Sequence, residues 1–187
     1  MEEQNAVTRL KQGDLEGLKG LVEKYQVQAV RAAYLILNDQ SLAEGVVQRA
    51  FLKAARRIHQ FDESFPFYPW FYRIVINDAL KQVRAHKRLV SLEEAAEGRI
   101  RKAARLLTDP QPQPDKIVET VETRRDVRAA IRSLPPEQRA AVVMFYYLDM
   151  SMSEMAEQTK RPLSTIKWWL RDARSRLKRM INVSPSG

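Results

Sequence analysis

Three prolines at alternating positions divide this chain of 187 residues into two parts. They lie in the segment Asp109-Pro110-Gln111-Pro112-Gln113-Pro114-Asp115. Proline has no backbone N–H and a fixed φ, so the segment favours an extended, solvated path over a helix or a central strand. Each remaining part has the length of a small domain. The sequence therefore predicts one domain over residues 1–90, a linker over 91–121, a second domain over 122–182 and a loose tail over 183–187.

Helical periodicity runs through both parts. Asp14 is a candidate N-cap for a helix whose inward positions are Leu15, Leu18, Val22, Tyr25, Ala29, Ala33 and Leu37. Ser-x-x-Glu capping boxes begin at Ser41, Ser91 and Ser151, and each predicts a helix start. Only 6 glycines occur, and β-branched runs are short. We therefore expect an all-α protein, with helices near residues 14–37, 41–58, 70–87, 91–107, 117–131, 136–147, 151–159 and 163–180.

The charge and residue inventory limits the function. A formal net charge of +9 and a pI near 9.9 favour binding to polyanions. The chain has no cysteine, so disulfides, thiolate metal sites and cysteine nucleophiles are excluded. His59 and His86 lack metal-ligand spacing, and no glycine-rich phosphate loop or triad-like grouping occurs. We expect a protein that is not an enzyme and needs no cofactor or metal.

The N-terminus and hydropathy predict a cytoplasmic protein without membrane insertion. Residues 1–5 are acidic and polar, unlike a secretory signal. No stretch of about 18 apolar residues exists, so no membrane-spanning helix is expected.

The C-terminal part carries the pattern of a helix-turn-helix. A short capped helix, the turn Lys160-Arg161-Pro162 and a longer helix follow one another. Residues placed where two crossing helices must pack are Met155, Ala156, Ile166, Leu170 and Leu177. Residues 160–179 hold eight basic side chains and one acid, which suits phosphate neutralisation in a major groove.

Nine residues of this unit are predicted to contact DNA: Lys160, Arg161, Ser164, Thr165, Lys167, Trp168, Arg171, Asp172 and Arg174. Arg171 has the chemistry to read guanine, and Asp172 can accept a hydrogen bond from cytosine. Trp169 is predicted to pack against the domain instead.

Two motif blocks resemble sigma factors of the extracytoplasmic-function (ECF) type, within the sigma-70 family. Leu134-Pro135-Pro136-Glu137-Gln138-Arg139, Ser151-Met152-Ser153-Glu154-Met155-Ala156 and Leu163-Ser164-Thr165-Ile166-Lys167 resemble region 4. Response-regulator output domains share part of that pattern. The block from Phe61 to Asn77, ending Trp70-Phe71-Tyr72-Arg73-Ile74-Val75-Ile76-Asn77, resembles regions 2.3–2.4 and makes the match specific.

The resemblance implies a promoter-recognition factor for bacterial core RNA polymerase. Region 4 would bind the −35 element, through the nine residues named above, and the flap of the second-largest subunit. Region 2 would recognise and melt the −10 element, where stacking and cationic contacts hold unpaired bases. The resemblance places Phe61, Ser64, Phe67, Asn77, Lys81 and Arg84 at the −10 element. It places Glu44, Val47, Gln48 and Phe51 against the clamp helices of the largest subunit. An anti-sigma factor is a further implied partner.

The clamp-binding segment departs from the family pattern. The family carries an acidic "DAED…QE" motif there, and this chain has Leu42, Gly45 and Arg49 at acidic positions. Less negative charge weakens complementarity to a basic clamp. One hypothesis is that phosphorylation of Ser41 restores negative charge at this helix N-terminus; the other is a divergent but adequate interface.

Two other classes of function compete with this interpretation. The first is a helix-turn-helix transcriptional regulator that binds duplex DNA and never docks on core polymerase, against which the block from Phe61 to Asn77 argues. The second is a membrane-surface helix, but the basic helix has a packing face matched to its neighbour.

Overall fold

A computed structural model describes residues 2–96 and 127–181. The predicted helical residues 97–107 and 117–126, the proline segment and the tail at 183–187 lie outside the described residues. Within the described ranges every regular element is helical, which confirms the all-α prediction.

The N-terminal half consists of four α-helices. They are α1 (Glu3–Lys11), α2 (Leu15–Leu37), α3 (Gln40–Arg57) and α4 (Phe67–Ala96), with a 3-10 turn at Ile58–Gln60. Helix α2 lies at the centre and packs against α1, α3 and α4. Its small buried residues Ala29, Ala32 and Ala33 allow the neighbouring helices to approach closely.

Side-chain caps and a left-handed residue define the helix ends in this half. Asp14 caps α2 as predicted, because its carboxylate accepts the N–H of Glu16. Asn38 ends α2 in the left-handed conformation, at φ 55°. The predicted capping box at Ser41 is wrong: Asp39 is the N-cap of α3 and accepts the N–H of Leu42 at 2.8 Å. A carboxylate two residues upstream therefore takes the role assigned to the serine.

Helix α4 is longer than the sequence indicates. It begins at Phe67 and runs to Ala96, so the predicted start at Pro69 and the separate helix beginning at Ser91 are both wrong. A proline in the first turn has no intrahelical N–H bond to lose, which explains why Pro69 is tolerated inside the helix. Residues 91–96 continue α4 instead of beginning a new helix.

Residues 127–181 of the C-terminal half contain four helical segments. Residues 127–133 form α5, followed by α6 (Pro136–Val142), which continues as a π-helical turn at Val143–Tyr147. Helices α7 (Met152–Thr159) and α8 (Leu163–Ile181) complete the half. These bounds confirm the predicted stop at Leu134-Pro135 and the predicted end at Tyr147.

The two halves pack against each other. Helix α4 contacts α6 and α7, and one cluster of buried apolar residues continues from the first half into the second. Among the described residues, polar contacts between the halves include those of Arg139 with the carbonyl of Ile36, Arg84 with Glu137, and Tyr68 with Glu154.

Candidate nucleic-acid and protein interfaces

The turn between α7 and α8 is built as the sequence predicts. Ser151 and Glu154 form a complete capping box at the start of α7. Lys160 ends α7 in the left-handed conformation at φ 53°, and the N–H of Arg161 returns to the carbonyl of Ala156 at 3.1 Å. The chain thereby reverses in three residues, and α8 begins after Pro162.

A small apolar contact fixes α8 on α7. Met155, Ile166 and Leu170 are buried, whereas Ala156 and Trp169 are half-buried against the same cluster. Leu177 packs further along, against Leu134 and Ala173. The predicted packing positions are therefore confirmed, including Trp169.

The opposite face of α8 is basic and open. Ser164, Lys167, Trp168 and Arg171 are exposed at helical spacing, with Trp168 showing 49% of its surface. Lys160 and Arg161 are exposed at the turn, and Thr165 is half-buried. Most residues predicted to contact DNA in this half thus share one continuous surface.

Asp172 and Arg174 already have partners within the protein. Oδ2 of Asp172 accepts from Nε2 of Gln138 at 2.7 Å and from Nε of Arg176 at 2.9 Å. The hydrogen bond from Arg176, with that from Gln138, lowers the pKa of Asp172 below its ordinary value. Nε of Arg174 donates to the hydroxyl of Tyr146 at 2.6 Å. Asp172 therefore ties α8 to α6, and Arg174 ties it to the π-helical turn.

Tyr146 is a residue of this surface that sequence reasoning missed. It is 54% exposed, and the guanidinium of Arg174 lies 5.8 Å from its ring centre. The π-helical turn shifts the helical register by one residue, so a regular 3.6-residue pattern misplaces the tyrosine.

In the N-terminal half, a compact loop over residues 61–66 precedes α4. Oδ1 of Asp62 accepts from the N–H of Ser64 at 3.0 Å and from its hydroxyl at 2.8 Å. The backbone hydrogen bond from Ser64, followed by that from its hydroxyl, lowers the pKa of Asp62. The turn exposes Ser64 and Phe65, the latter by 67%.

The burial of Phe61 and Phe67 corrects the expectation that their rings meet DNA. They are 5% and 1% exposed, and their ring centres lie 5.5 Å apart in an edge-to-face contact. Phe61 also contacts Trp70, and Phe67 stacks on Phe71. Since aromatic rings contribute strongly to a small core, these two serve to anchor the loop. Phe71 also belongs to the core cluster, and Trp70 and Ile74 are partly buried against it.

A basic groove of about 370 Å³ lies between α3 and α4. It brings together the predicted residues Asn77 and Lys81 and adds three cations that the sequence analysis did not select: Lys53, Arg57 and Arg73. Asp78 is the acid within it, paired with Lys53 at 2.5 Å. Lys53 and Arg57 near the end of α3 face Arg73 of α4 only in the folded chain. Their spacing in the sequence therefore does not indicate a shared groove.

Arg84 lies apart from this groove. Its Nη2 contacts Oε1 of Glu137 at 2.9 Å, although its side chain remains 55% exposed. Burial alone would raise the pKa of Glu137, but the hydrogen bond from Arg84 and further favourable contacts lower it overall.

A second groove, of about 850 Å³, runs between α2 and α3. All four residues predicted to bind polymerase line it: Glu44, Val47, Gln48 and Phe51. Two exposed apolar side chains extend it, Val27 at 62% and Leu52 at 54% exposure, and neither was selected from the sequence. An exposed apolar groove of this kind is typical of a protein-binding site.

Ser41 stands at the start of the same helix. It is exposed in the first turn of α3, which contains no acidic residue. Glu44, one turn later, accepts a hydrogen bond from the amide of Gln40 at 2.7 Å.

Comparison with protein families matches both halves in the same order as the motifs. The Sigma-70 region 2 model matches residues 21–89, and the Sigma-70, region 4 model matches residues 124–177. The chain belongs to the sigma-70 family, as an ECF-type sigma factor.

Individual relatives support this assignment over almost the whole chain. The ECF RNA polymerase sigma factor SigW of Bacillus subtilis (strain 168) is 25% identical over 177 residues, covering 94% of each protein. The ECF RNA polymerase sigma-E factor of Haemophilus influenzae is 29% identical over 171 residues, covering 89% of this chain and 88% of that protein. The similarity to these sigma factors therefore extends over most of the chain that contains the two matched regions.

Solved structures show the same fold. CnrH, in complex with the cytosolic domain of CnrY, matches with a TM-score of 0.69 at 21% identity, covering 98% of this chain and 99% of that chain. The sigma factor RpoE of Bartonella quintana, in complex with the anti-sigma factor NepR, matches with a TM-score of 0.65 at 20% identity, covering 89% and 98%.

The described helices and carboxylates form neither a membrane span nor a metal cluster. In residues 2–96 and 127–181, no helix is long and apolar enough to cross a bilayer. The same part of the chain holds no group of three or more histidines and carboxylates able to bind a metal ion.

Proposed function

We propose that this sigma factor reads two separate promoter elements while its α2–α3 groove holds the polymerase. The open face of α8 and the α7–α8 turn bind the −35 element. The loop at residues 61–66 and the basic α3–α4 groove bind the −10 element. We further propose that the protein acts in the cytoplasm, has no enzymatic activity and needs no cofactor.

The observation that carries this proposal is the separation of an apolar groove from two basic surfaces. DNA phosphates favour basic surfaces, because neutralisation releases condensed counterions. The α2–α3 groove instead exposes Val27 and Leu52, which suits a protein helix rather than a nucleic acid. The clamp helices of the largest polymerase subunit are the partner that family membership implies.

At the −35 element, we assign base reading to Arg171 and contacts with phosphate or the groove edge to Lys160, Arg161, Ser164, Thr165, Lys167 and Trp168. Arg171 carries the guanidinium fork that matches guanine. Asp172 and Arg174 support α8 from below, through Gln138 and Tyr146.

At the −10 element, we assign contact with the unpaired strand to Ser64 and Phe65 on the loop and to Asn77 and Lys81 in the groove. Phe65 offers the open ring for base stacking that Phe61 and Phe67 lack. Lys53, Arg57 and Arg73 add charge for the phosphates. Arg84 becomes available only when its contact with Glu137 opens.

Transcription initiation with purified core polymerase tests the proposal. We expect Leu52→Glu to abolish initiation, because it places a carboxylate in the apolar groove, while binding to a −35 duplex is unchanged. Leu15→Glu is the matched control. Helical spacing places Leu15 among the inward positions of α2, which is wrong: at the first residue of the helix it is 71% exposed, and it lies outside the groove lining. Equal loss of initiation in both variants, or none in either, contradicts the groove assignment. Duplex binding without initiation by the unaltered chain favours a helix-turn-helix regulator instead.

Phosphorylation of Ser41 is a conditional addition to this proposal. A phosphate there would add negative charge in the first turn of α3, beside Gln40 and Glu44 of the groove. Pull-down of core polymerase with phosphorylated and unphosphorylated chain tests it, and equal recovery refutes it. The same assay with a candidate anti-sigma factor as competitor shows whether such a partner covers the groove.

A further inference from the structure

We infer that α1 positions the loop at residues 61–66 for −10 recognition, with Lys11, Thr8 and Glu3 as positioning residues. This inference rests on the proposed role of residues 61–66 in −10 recognition. Helix α1 spans Glu3–Lys11 and lies before residue 21, where the region 2 match begins. Its polar side chains nevertheless make hydrogen bonds to the start, the middle and the end of the loop.

Lys11 holds the start and the middle of the loop together. Its Nζ donates to the carbonyl of Phe61 at 2.8 Å and pairs with Oε1 of Glu63 at 2.8 Å. The side chains of Lys11 and Glu63 are 24% and 34% exposed, so solvent screens this contact less than a fully open surface pair. One ammonium group therefore fixes both a backbone carbonyl and a carboxylate two residues apart.

Thr8 completes the binding of Glu63. Its hydroxyl donates to Oε2 at 3.1 Å, so both carboxylate oxygens have a donor from α1. The bond from Lys11, followed by that from Thr8, lowers the pKa of Glu63. Both oxygens of the ionised Glu63 carboxylate are held by donors from α1, which fixes the backbone immediately before Ser64.

Glu3 holds the end of the loop. Its Oε1 accepts the N–H of Phe67, the first residue of α4, at 3.2 Å. Its Oε2 accepts from Lys24 at 2.7 Å and from the hydroxyl of Tyr25. One carboxylate thus joins α1, α2 and the beginning of α4, and the loop cannot shift without breaking contacts at both of its ends.

Helix α1 is itself firmly seated, which allows it to act as a support. Ala6, Val7 and Leu10 are buried against α2. At Gly17 of α2, a Cβ atom would lie 2.4 Å from the carbonyl oxygen of Ala6 and 2.6 Å from the nitrogen of Leu10. Only glycine permits this approach.

A hollow of about 410 Å³ between α1 and the loop shows where the positioning matters. Glu2, Glu3 and Gln4 form one wall, and Ser64, Phe65 and Pro66 form the facing wall. A base that enters beside the loop therefore meets a space lined by Glu3 and by loop residues that Lys11 and Thr8 hold in place.

The test uses Lys11→Met in the full chain, with Lys11→Arg as the conservative rescue. Lys19→Met is the matched control, because Lys19 is exposed and pairs only with Glu16 among the contacts described for it. Hydrogen exchange of residues 61–67 reports the loop directly. Holoenzyme opening of a promoter with a consensus or an altered −10 element reports its function. A pre-melted promoter removes the need for opening.

We expect Lys11→Met to raise loop exchange by about tenfold and to reduce −10 discrimination on duplex promoters to a similar degree. Exchange in α2 and α3 stays unchanged, the pre-melted promoter recovers most activity, and Lys11→Arg restores part of the protection. Thr8→Val, which removes one donor at constant volume, changes both readouts in the same direction by a smaller factor.

Three results separate the outcomes. Unchanged loop exchange in Lys11→Met and Thr8→Val overturns the positioning role. A rise in exchange throughout the protein also overturns it, because α1 then acts only in stability. Faster loop exchange with unchanged −10 discrimination, accompanied by no effect of Phe65→Ala, leaves α1 as a support of the loop but refutes the proposed function of the loop itself.

Discussion

The guanidinium of Arg139 donates to the carbonyl of Ile36 at 2.6 Å, across 103 residues of sequence. Ile36 lies in the last turn of α2, where carbonyls have no intrahelical partner. The same side chain also binds the carbonyls of Arg132 and Leu134 in its own half. Burial lowers the pKa of Arg139, but a guanidinium group stays protonated in proteins, so the side chain remains a charged donor. One arginine therefore closes the end of α2 and joins the two halves.

Replacing Arg139 tests this contact. We expect Arg139→Met to lower the free energy of unfolding by about 2 kcal/mol, because partly buried carbonyls lose a charged donor. The halves also separate more readily, so the radius of gyration rises in small-angle scattering. Arg132→Met is the control, since Arg132 is exposed. An unchanged radius together with unchanged stability contradicts the role of Arg139.

Acidification tests the Glu3 cluster. Burial alone would raise the pKa of Glu3, but hydrogen bonds from Lys24, Tyr25 and the N–H of Phe67 lower it overall below 4.5. A carboxylate with a depressed folded-state pKa stabilises the protein above its unfolded pKa, and the contribution is lost as pH falls through the folded value. We expect the free energy of unfolding to fall below about pH 4.5. We expect Glu3→Gln to reduce this loss of stability at low pH. The control Glu16→Gln, at an exposed ion pair, leaves the loss unchanged. If the two variants lose stability identically as the pH falls, the assignment to Glu3 is contradicted.

Salt dependence tests the phosphate role of Lys167. We expect Lys167→Gln to weaken binding of the full chain to all −35 duplexes alike and to reduce the slope of log K against log salt by about 0.9. Fluorescence anisotropy over a series of salt concentrations measures both quantities. Glu157→Gln, on the exposed side of α7, is a control that should not reduce the slope. A sequence-dependent loss at constant slope would instead mean that Lys167 reads bases.

Replacing Asp172 distinguishes a structural role of this side chain from a role in reading bases. Gln138 is 3% exposed, and its side-chain N–H group bonds to Asp172. We expect Asp172→Ala to lower the free energy of unfolding, because the buried side-chain N–H group of Gln138 loses its partner. Base preference at the −35 element, measured by selection from a randomised duplex, stays the same. A changed preference with unchanged stability would restore the cytosine contact suggested by the sequence.

Local chemistry explains which structural features the sequence predicted. The cap at Asp14 and the capping box at Ser151 depend on residues within three positions of each other, and both are confirmed. The inward face of α3, with Val47, Phe51 and Ala54 buried, follows from helical spacing alone. The capping box predicted at Ser41 is wrong because Asp39, two residues earlier, caps the same helix.

Features that depend on tertiary contact were not predicted. Phe61 and Phe67 are buried because they pack against Trp70 and Phe71. The sequence alone does not show whether such a group of aromatic residues faces DNA or forms a core. The groove cations Lys53 and Arg73 lie on different helices and meet only in the folded chain. The bond from Arg139 to Ile36 joins the halves without any pattern in the sequence.

Selection of promoters from a library randomised at both elements, with reconstituted holoenzyme, tests the central claim most directly. We expect Arg171→Ala to relax base preference only in the upstream element, and Asn77→Ala to relax it only in the downstream element, with the spacing between the elements unchanged. If both substitutions alter the same element, or if the unaltered chain selects a single block, the account of two separate reading surfaces on one sigma factor is contradicted.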